Sequence, residues 1–427
     1  MNTQTPVNKH CMSDMAWQDK LQFCCMALMG ASMPVSWRLG LLAALLLAAA
    51  SLVKLFADVH DGKRPLHNPA LNGWMRGALW AAVAYVAVYA VSLLYSNNVD
   101  AGLTVLAHKA VILIFPLCFL LTDTSYLKPS HARTLFYALL IAVCTVFLCD
   151  VAVAAHKLAG GSSLKSVTGP QFDNRHHAYV ALYALTALVF AHFELAGHWR
   201  SLRHWHRGLL LFAAACCILY IELVNSRAGM LGLYAMALLC PAHFALTTRR
   251  WWQSLLAAAL LLGIVASAEQ LLPGHQNRLK ATLEAGESDA RIGILKSSLN
   301  AMKQSPVTGQ GAGDYEEALT AQYEKDEQTF AGKEFNAHNQ YIETLLAVGI
   351  AGLLILTAWL LLPLLCAIGR KKAFWPVAFF SGIVMFNLLF ESMLERQMGL
   401  LFIGFFSSLM VLITSMDKNK FVRMAKK

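Results

Sequence analysis

The sequence predicts an all-α polytopic membrane protein of about twelve transmembrane helices, with one large helical loop outside the membrane between the ninth and tenth. Three observations predict it. The 427-residue chain is 57% hydrophobic and 14% charged, with a mean hydropathy of +0.50, whereas soluble proteins carry about 25% charged residues. Apolar runs of about 18 residues or more recur along it, each long enough to cross a bilayer as a helix. One long hydrophilic stretch, residues 271–339, separates two of these runs.

Taken in order, the apolar runs place helices at 17–34, 36–57, 74–96, 104–121, 131–156, 177–196, 207–224, 227–247, 251–270, 340–368, 373–392 and 397–416. The first is short, a membrane helix or a re-entrant piece. Lys9 and Lys20 come before its short apolar run without a cleavage site, which favours a retained helix over a removed signal. Leu209 to Leu246 is one apolar run interrupted only by Glu222–Arg227. At about 1.5 Å per residue it is too long for a single crossing. The chain must fold back near Asn225-Ser226-Arg227, with Arg227 at the membrane–water boundary and at a helix N-terminus. The organisation is then nine helices over 1–270, the loop over 271–339, three helices over 340–416 and a basic tail over 417–427.

The basic residues fix the expected orientation. Arg249-Arg250, Arg370-Lys371-Lys372, Lys63-Arg64, Lys128, Arg200/Arg203/Arg207 and the tail cluster in short connectors, the pattern of cytoplasmic loops. Residues 271–339 fall at the opposite ends of their flanking helices, in the periplasm where the cell has one, and both termini fall in the cytoplasm. The same distribution argues that the net charge of +10 is not a nucleic-acid stripe. Lys157, Lys165, Arg175, Arg227 and Arg396 stand out on the expected outer side, where basic residues are rarer. Each serves function or snorkels at the interface. The ten cysteines include no CxxC pair, so neither a disulfide framework nor a zinc site is indicated.

Within the loop, Ser288 is placed to cap a helix with Arg291 at its third position. Ile292, Leu295, Leu299 and Met302 form an amphipathic stripe along it. Ser305-Pro306 stops it. A second helix opens after Thr308–Asp314, with Asp314 and Glu317 spaced as a capping box. Gly309, Gly311 and Gly313 can bring backbone N–H groups to a phosphate, but without the Lys-Ser/Thr of a P-loop a plain turn is the better reading. His338 lies in the first turn of the helix re-entering the membrane, with Asn336 able to cap it. A helix N-terminus disfavours imidazolium, so the ring is expected neutral near pH 7 and able to accept a proton. A polar interfacial histidine is the alternative. Arg227, at a helix N-terminus, is disfavoured unless an anion joins it, which makes it an anion clamp or a brace for the hairpin.

Several stretches resemble the O-antigen ligase/polymerase superfamily. Ala337-His338-Asn339 with the run to Gly352 resembles its histidine motif. Asp289-Ala290-Arg291 followed by Pro306–Gly311 resembles its loop arginine motif, and Asn225–Gly229 its membrane-edge arginine motif. Thr168–His177 resembles, less closely, a stretch before a helix. Phe390-Glu391-Ser392 with Glu395–Gly399 resembles a pattern near the last helix. Together they span about Val167 to Phe405.

The resemblance implies a bacterial inner-membrane enzyme whose active site faces the periplasm. The short basic C-terminal tail, in place of a further periplasmic domain, favours the ligases of the superfamily. The implied reaction moves O-antigen from an undecaprenyl-diphosphate-linked donor to a sugar hydroxyl of a lipid A-core acceptor. Neither metal nor cofactor is implied, and no nucleic acid. Residue chemistry fits independently. Arg227 and Arg291 suit a diphosphate, and their attraction grows as charge develops on the leaving oxygen. His338 suits general-base removal of the hydroxyl proton. One base without a carboxylate nucleophile predicts single displacement with inversion. Arg175, His177, Asn339, Glu343 and Glu391 are candidates for support. A repeat-unit polymerase or protein O-oligosaccharyltransferase shares the motifs. A lipid-linked saccharide transporter is the rival of another class, and it would want ionisable groups at mid-membrane.

Overall fold

The computed structural model describes residues 15–163, 169–171, 175–271, 290–328 and 335–417. Helical rods stand at all twelve expected positions. They are Trp17–Ser32 (α1), Trp37–His60 (α2), Gly73–Ser92 (α3), a rod of Val99–Ala110 (α4) and Ile114–Leu121 (α5) joined by a 3-10 turn, and Pro129–Ala159 (α6). His177–His198 (α7), His204–Val224 (α8), Arg227–Thr248 (α9) and Trp251–Leu271 (α10) follow. Ala290–Met302 (α11) and Tyr315–Lys325 (α12) lie in the hydrophilic loop. Gln340–Ala367 (α13), Phe374–Leu388 (α14) and Gln397–Met416 (α15) complete the chain. Among the described residues, nine rods are long and apolar enough to cross a membrane. The apolar part of α10, Trp251–Gly263, and α14 are shorter. α1, 16 residues long, carries Asp19, Lys20 and Gln22.

Local chemistry sets the helix ends. Ser36, Asn72 and Asn98 accept hydrogen bonds from the opening turns of α2, α3 and α4, satisfying donors that a helix start leaves orphaned. The apolar run from Leu209 does turn back on itself. α8 ends at Val224, Asn225 takes the left-handed conformation at φ +50°, and Ser226 caps α9. α15 is buried on nearly every side from Gly399 to Leu412, as expected of a helix that is apolar all round. α3 lies along α13. There Tyr85 reaches Thr344 at 3.1 Å and packs on Trp359, whose indole donates to Ser407 of α15 at 3.1 Å.

α13 is broken. Val348 and Gly349 leave helical geometry, Gly349 at φ +65° and ψ −163°. The loop fills the break. Gln310 N donates to Leu346 O at 2.7 Å, Gly311 N to Ala347 O at 2.9 Å, and Ile350 N to Val307 O at 3.2 Å. The carbonyls of Leu346 and Ala347 and the amide of Ile350 thus find partners from the loop, as buried backbone groups require. The approach is close enough that a Cβ on Gly349 would meet Val307 O at 2.1 Å. The backbone donors of the glycine run are consumed this way. Gly309 N bonds Ser305 O, Ala312 N bonds Ser92 Oγ and Gly313 N bonds Ser96 Oγ. The turn reading of Gly309–Gly313 stands, and the phosphate reading has no free N–H to use.

Other local expectations need correction. α11 buries its small face, Gly293, Ile294, Ser297, Ser298 and Ala301, and leaves Leu295 and Leu299 of the expected stripe exposed. Gly and Ser permit the close approach that the larger side chains would prevent. Asp314 precedes α12 but forms no capping bond. Its carboxylate accepts instead from the backbone N–H of Asn97 at 2.7 Å and Asn98 at 2.8 Å, tying the loop to the α3–α4 connector. Ser288 and Asp289, like Thr168 and Phe172–Asn174, lie outside the described residues.

Candidate active site

The expected residues gather at the end of the bundle where α7, α9, α13 and α15 begin. His338 stands just before α13 rather than in its first turn. Asn339 is the helix cap, its Oδ1 accepting from Tyr341 N at 3.0 Å and Ile342 N at 3.2 Å. Asn336 instead accepts from His338 N at 3.2 Å, a local turn that holds His338 at φ +47°. For a residue other than glycine, that conformation is uncommon and strained. It aims the imidazole away from the helix and towards the α14–α15 connector.

That connector, residues 389–396, is docked onto the first turns of α13. Asn339 Nδ2 donates to Leu389 O at 3.2 Å, and Leu394 N donates to Gln340 Oε1 at 2.6 Å. Glu343, fully buried, accepts from Ala337 N at 2.7 Å and from Ser392 Oγ at 3.0 Å. One carboxylate therefore grips the residue before His338 and the residue after Glu391. The result is a contact of 3.0 Å between His338 Nδ1 and Glu391 Oε1, with His338 26% and Glu391 10% exposed.

Burial alone would raise the Glu391 carboxyl. The hydrogen bond from His338 and the positive field of His338, His176 and Arg291 outweigh it and hold the group below its ordinary value of 4.5. Glu391 is thus an acceptor. In the neutral ring, Nδ1 then carries the hydrogen and Nε2 presents its lone pair. The same coupling places Arg291, from the start of α11, within electrostatic reach of this pair. His176, at the cap of α7, lies in the same field. Burial lowers its basicity most, and Arg396, His177 and His338 lower it further against the opposing pull of Glu391.

Residues 209–357 match the O-antigen ligase family model. The match supports the O-antigen ligase/polymerase superfamily and takes in Arg227, Arg291 and His338. No curated protein matches the chain. The O-antigen ligase match stops before Glu391 and begins after His176, so both are joined to it by the fold.

Arg227 is the first residue of α9 and is half-buried at the same end. The hairpin carrying it is held by His177, whose Nδ1 meets Val224 O at 2.5 Å, and by Gly169 N, which donates to Leu223 O at 3.0 Å. Arg175 serves elsewhere. Its guanidinium is buried against both Asp150 oxygens at 2.8 and 2.9 Å, with Tyr220 OH at 2.9 Å and Pro34 O at 3.2 Å. It braces α6, α8 and the α1–α2 turn.

A second polar centre escaped the sequence reading. Lys109 of α4, 1% exposed, donates to both oxygens of Glu395 at 2.9 Å and to Leu394 O at 3.1 Å. Gln340 and Tyr315 also reach Glu395, at 2.9 and 3.3 Å. No local signal joins Lys109 to Glu395, which lie 286 residues apart. A lone lysine inside an apolar run was the available hint. His176 and Arg396 also join the site, the latter flagged in sequence only as a basic residue on the rarer side.

Proposed function

We propose that the protein is an O-antigen ligase, transferring a polysaccharide from an undecaprenyl-diphosphate-linked donor to a sugar hydroxyl of a lipid A-core acceptor. The observation that carries the proposal is the His338–Glu391 pair, its imidazole partly open to solvent, with Arg291 in its field at the end of a membrane bundle. The apolar helices suit a polyprenyl tail. The proposed setting is the bacterial inner membrane, with this end in the periplasm and both termini in the cytoplasm.

In the proposed reaction, the acceptor hydroxyl oxygen attacks the anomeric carbon of the donor. Its proton passes to Nε2 of His338, and Glu391 stabilises the imidazolium that forms. The bond from the anomeric carbon to the phosphate oxygen breaks, and its electron pair leaves with the diphosphate. Arg227 and Arg291 bind that anion more tightly as its charge develops, which is stabilisation confined to the transition state. A single displacement inverts the anomeric centre. With permanent cations on the leaving group, turnover is expected to persist in chelator.

The test is a purified assay with defined lipid-linked donor and lipid A-core acceptor, alongside His338→Ala and Arg291→Ala in cells. Support requires loss of polymer-capped lipopolysaccharide at unchanged protein level, with lipid-linked polymer accumulating. Accumulation of single repeats instead would identify a polymerase of the same superfamily. Unchanged capping would remove the catalytic reading of these residues.

A further inference from the structure

The far end of the bundle holds a cleft with a volume of about 880 Å³ between the C-terminal ends of α7 and α9 and the start of α10. Its size is in the range of cavities that take lipid-sized or drug-sized molecules, about 300–1,000 Å³. Its walls are apolar, with Leu195, Phe244, Ala257 and Leu261 among them. Its mouth carries Arg200 and Arg250, both exposed. Among the described residues lining it there is no Asp or Glu. Glu194, on α7 beside the lining residue Leu195, is buried and ion-paired to Arg133, with His198 at 3.6 Å.

The depth of the mouth can be read from Trp199, which lines it, and from Trp251 and Trp252 at the start of α10 next to Arg250. Trp199 is 46% exposed, Trp251 56% and Trp252 84%. Exposed tryptophans at helix ends sit at the headgroup level of a bilayer. The mouth thus combines two permanent cations at headgroup depth with an apolar slot running towards the membrane interior. A soluble phosphate would use the cations and leave the slot unfilled. A hydrocarbon chain alone would fill the slot and leave the cations unmatched.

We infer that this cleft is a binding seat for an anionic phospholipid, with the phosphate between Arg200 and Arg250 and an acyl chain along Phe244, Ala257 and Leu261. Basic pockets between membrane helices select anionic headgroups by this combination of charge and hydrocarbon. The seat lies in the leaflet opposite the His338 site, so it is separate from any donor or acceptor position proposed above.

The test uses the full chain purified in detergent and native mass spectrometry, with phosphatidylglycerol and phosphatidylcholine offered at equal concentration. The unaltered protein is expected to retain one phosphatidylglycerol under activation that strips phosphatidylcholine. Arg200→Gln/Arg250→Gln should lower that retention at least tenfold. Lys371→Gln/Lys372→Gln, at the same end but outside the cleft, should leave it unchanged. Ala257→Trp narrows the slot with both arginines intact and should also lower retention, which keeps the inference testable if the arginine variant does not fold. Equal retention of the two lipids, no retention, or equal loss in the lysine variant would overturn it.

Discussion

The α14–α15 connector carries two carboxylates four residues apart, and each meets a basic side chain near 3 Å. His338 approaches Glu391 at 3.0 Å, and Lys109 approaches Glu395 at 2.9 Å. Their surroundings differ. His338 keeps 26% of its side chain exposed, whereas Lys109 keeps 1%. The open pair is the one proposed to take a proton from a bound hydroxyl. The second pair keeps its base sealed although Glu395 is 13% exposed, and its three further partners fix the connector. Proximity of opposite charges therefore does not distinguish a reacting pair from an anchor. Access does.

Four single substitutions and one double variant break or sharpen that contrast. The largest effect is expected from His338→Ala, which should reduce turnover by about 10²–10⁴-fold, the usual contribution of a general base, with little change in melting temperature. Lys109→Ala should do the reverse. Leaving the part-buried Glu395 without its cation should cost up to about 3 kcal/mol of stability, read as a lower melting temperature in detergent. The double variant Lys109→Met/Glu395→Gln should recover most of it. If Lys109→Ala lowers turnover without lowering stability, the contrast fails.

Glu391→Gln should lower turnover less than His338→Ala does, because it removes the orienting charge and leaves Nε2 in place. The pH dependence has a definite sign. The folded-state pKa of Glu391 lies below the ordinary 4.5. Its stabilising contact is therefore complete above that ordinary value and lost as pH falls through the lower folded one. An acid titration of unfolding should show this limb in the unaltered protein and a flatter one in Glu391→Gln. The smallest effect is expected from Asn339→Ala, about 1 kcal/mol for a lost helix cap, seen as a modest drop in melting temperature.

The helices were legible because their signals are local: apolar runs, Asn and Ser caps, and the Asn225–Arg227 interruption. His338, Arg291 and Glu391 were legible as candidates, and the fold brings them into one electrostatic neighbourhood. What the sequence hid was pairing at a distance. Asp314 looked like a cap because Glu317 follows at the right spacing, yet its partners are Asn97 and Asn98. Arg175 looked like an outer-surface cation, yet Asp150 of α6 occupies it. The stripe on α11 misled because large apolar residues usually mark the packed face. Here Gly293, Ser297 and Ser298 do.

The stitched break in α13 has a consequence for how the gene can vary. Val307, Gln310 and Gly311 pair in fixed register with Ile350, Leu346 and Ala347. Adding or deleting one codon between 307 and 311 would shift each donor past its acceptor and misalign α12 and the Asp314 tether downstream. Length polymorphism should therefore be absent from this short interval, and a library of single-codon insertions scanned across residues 290–328 should show its deepest gap there.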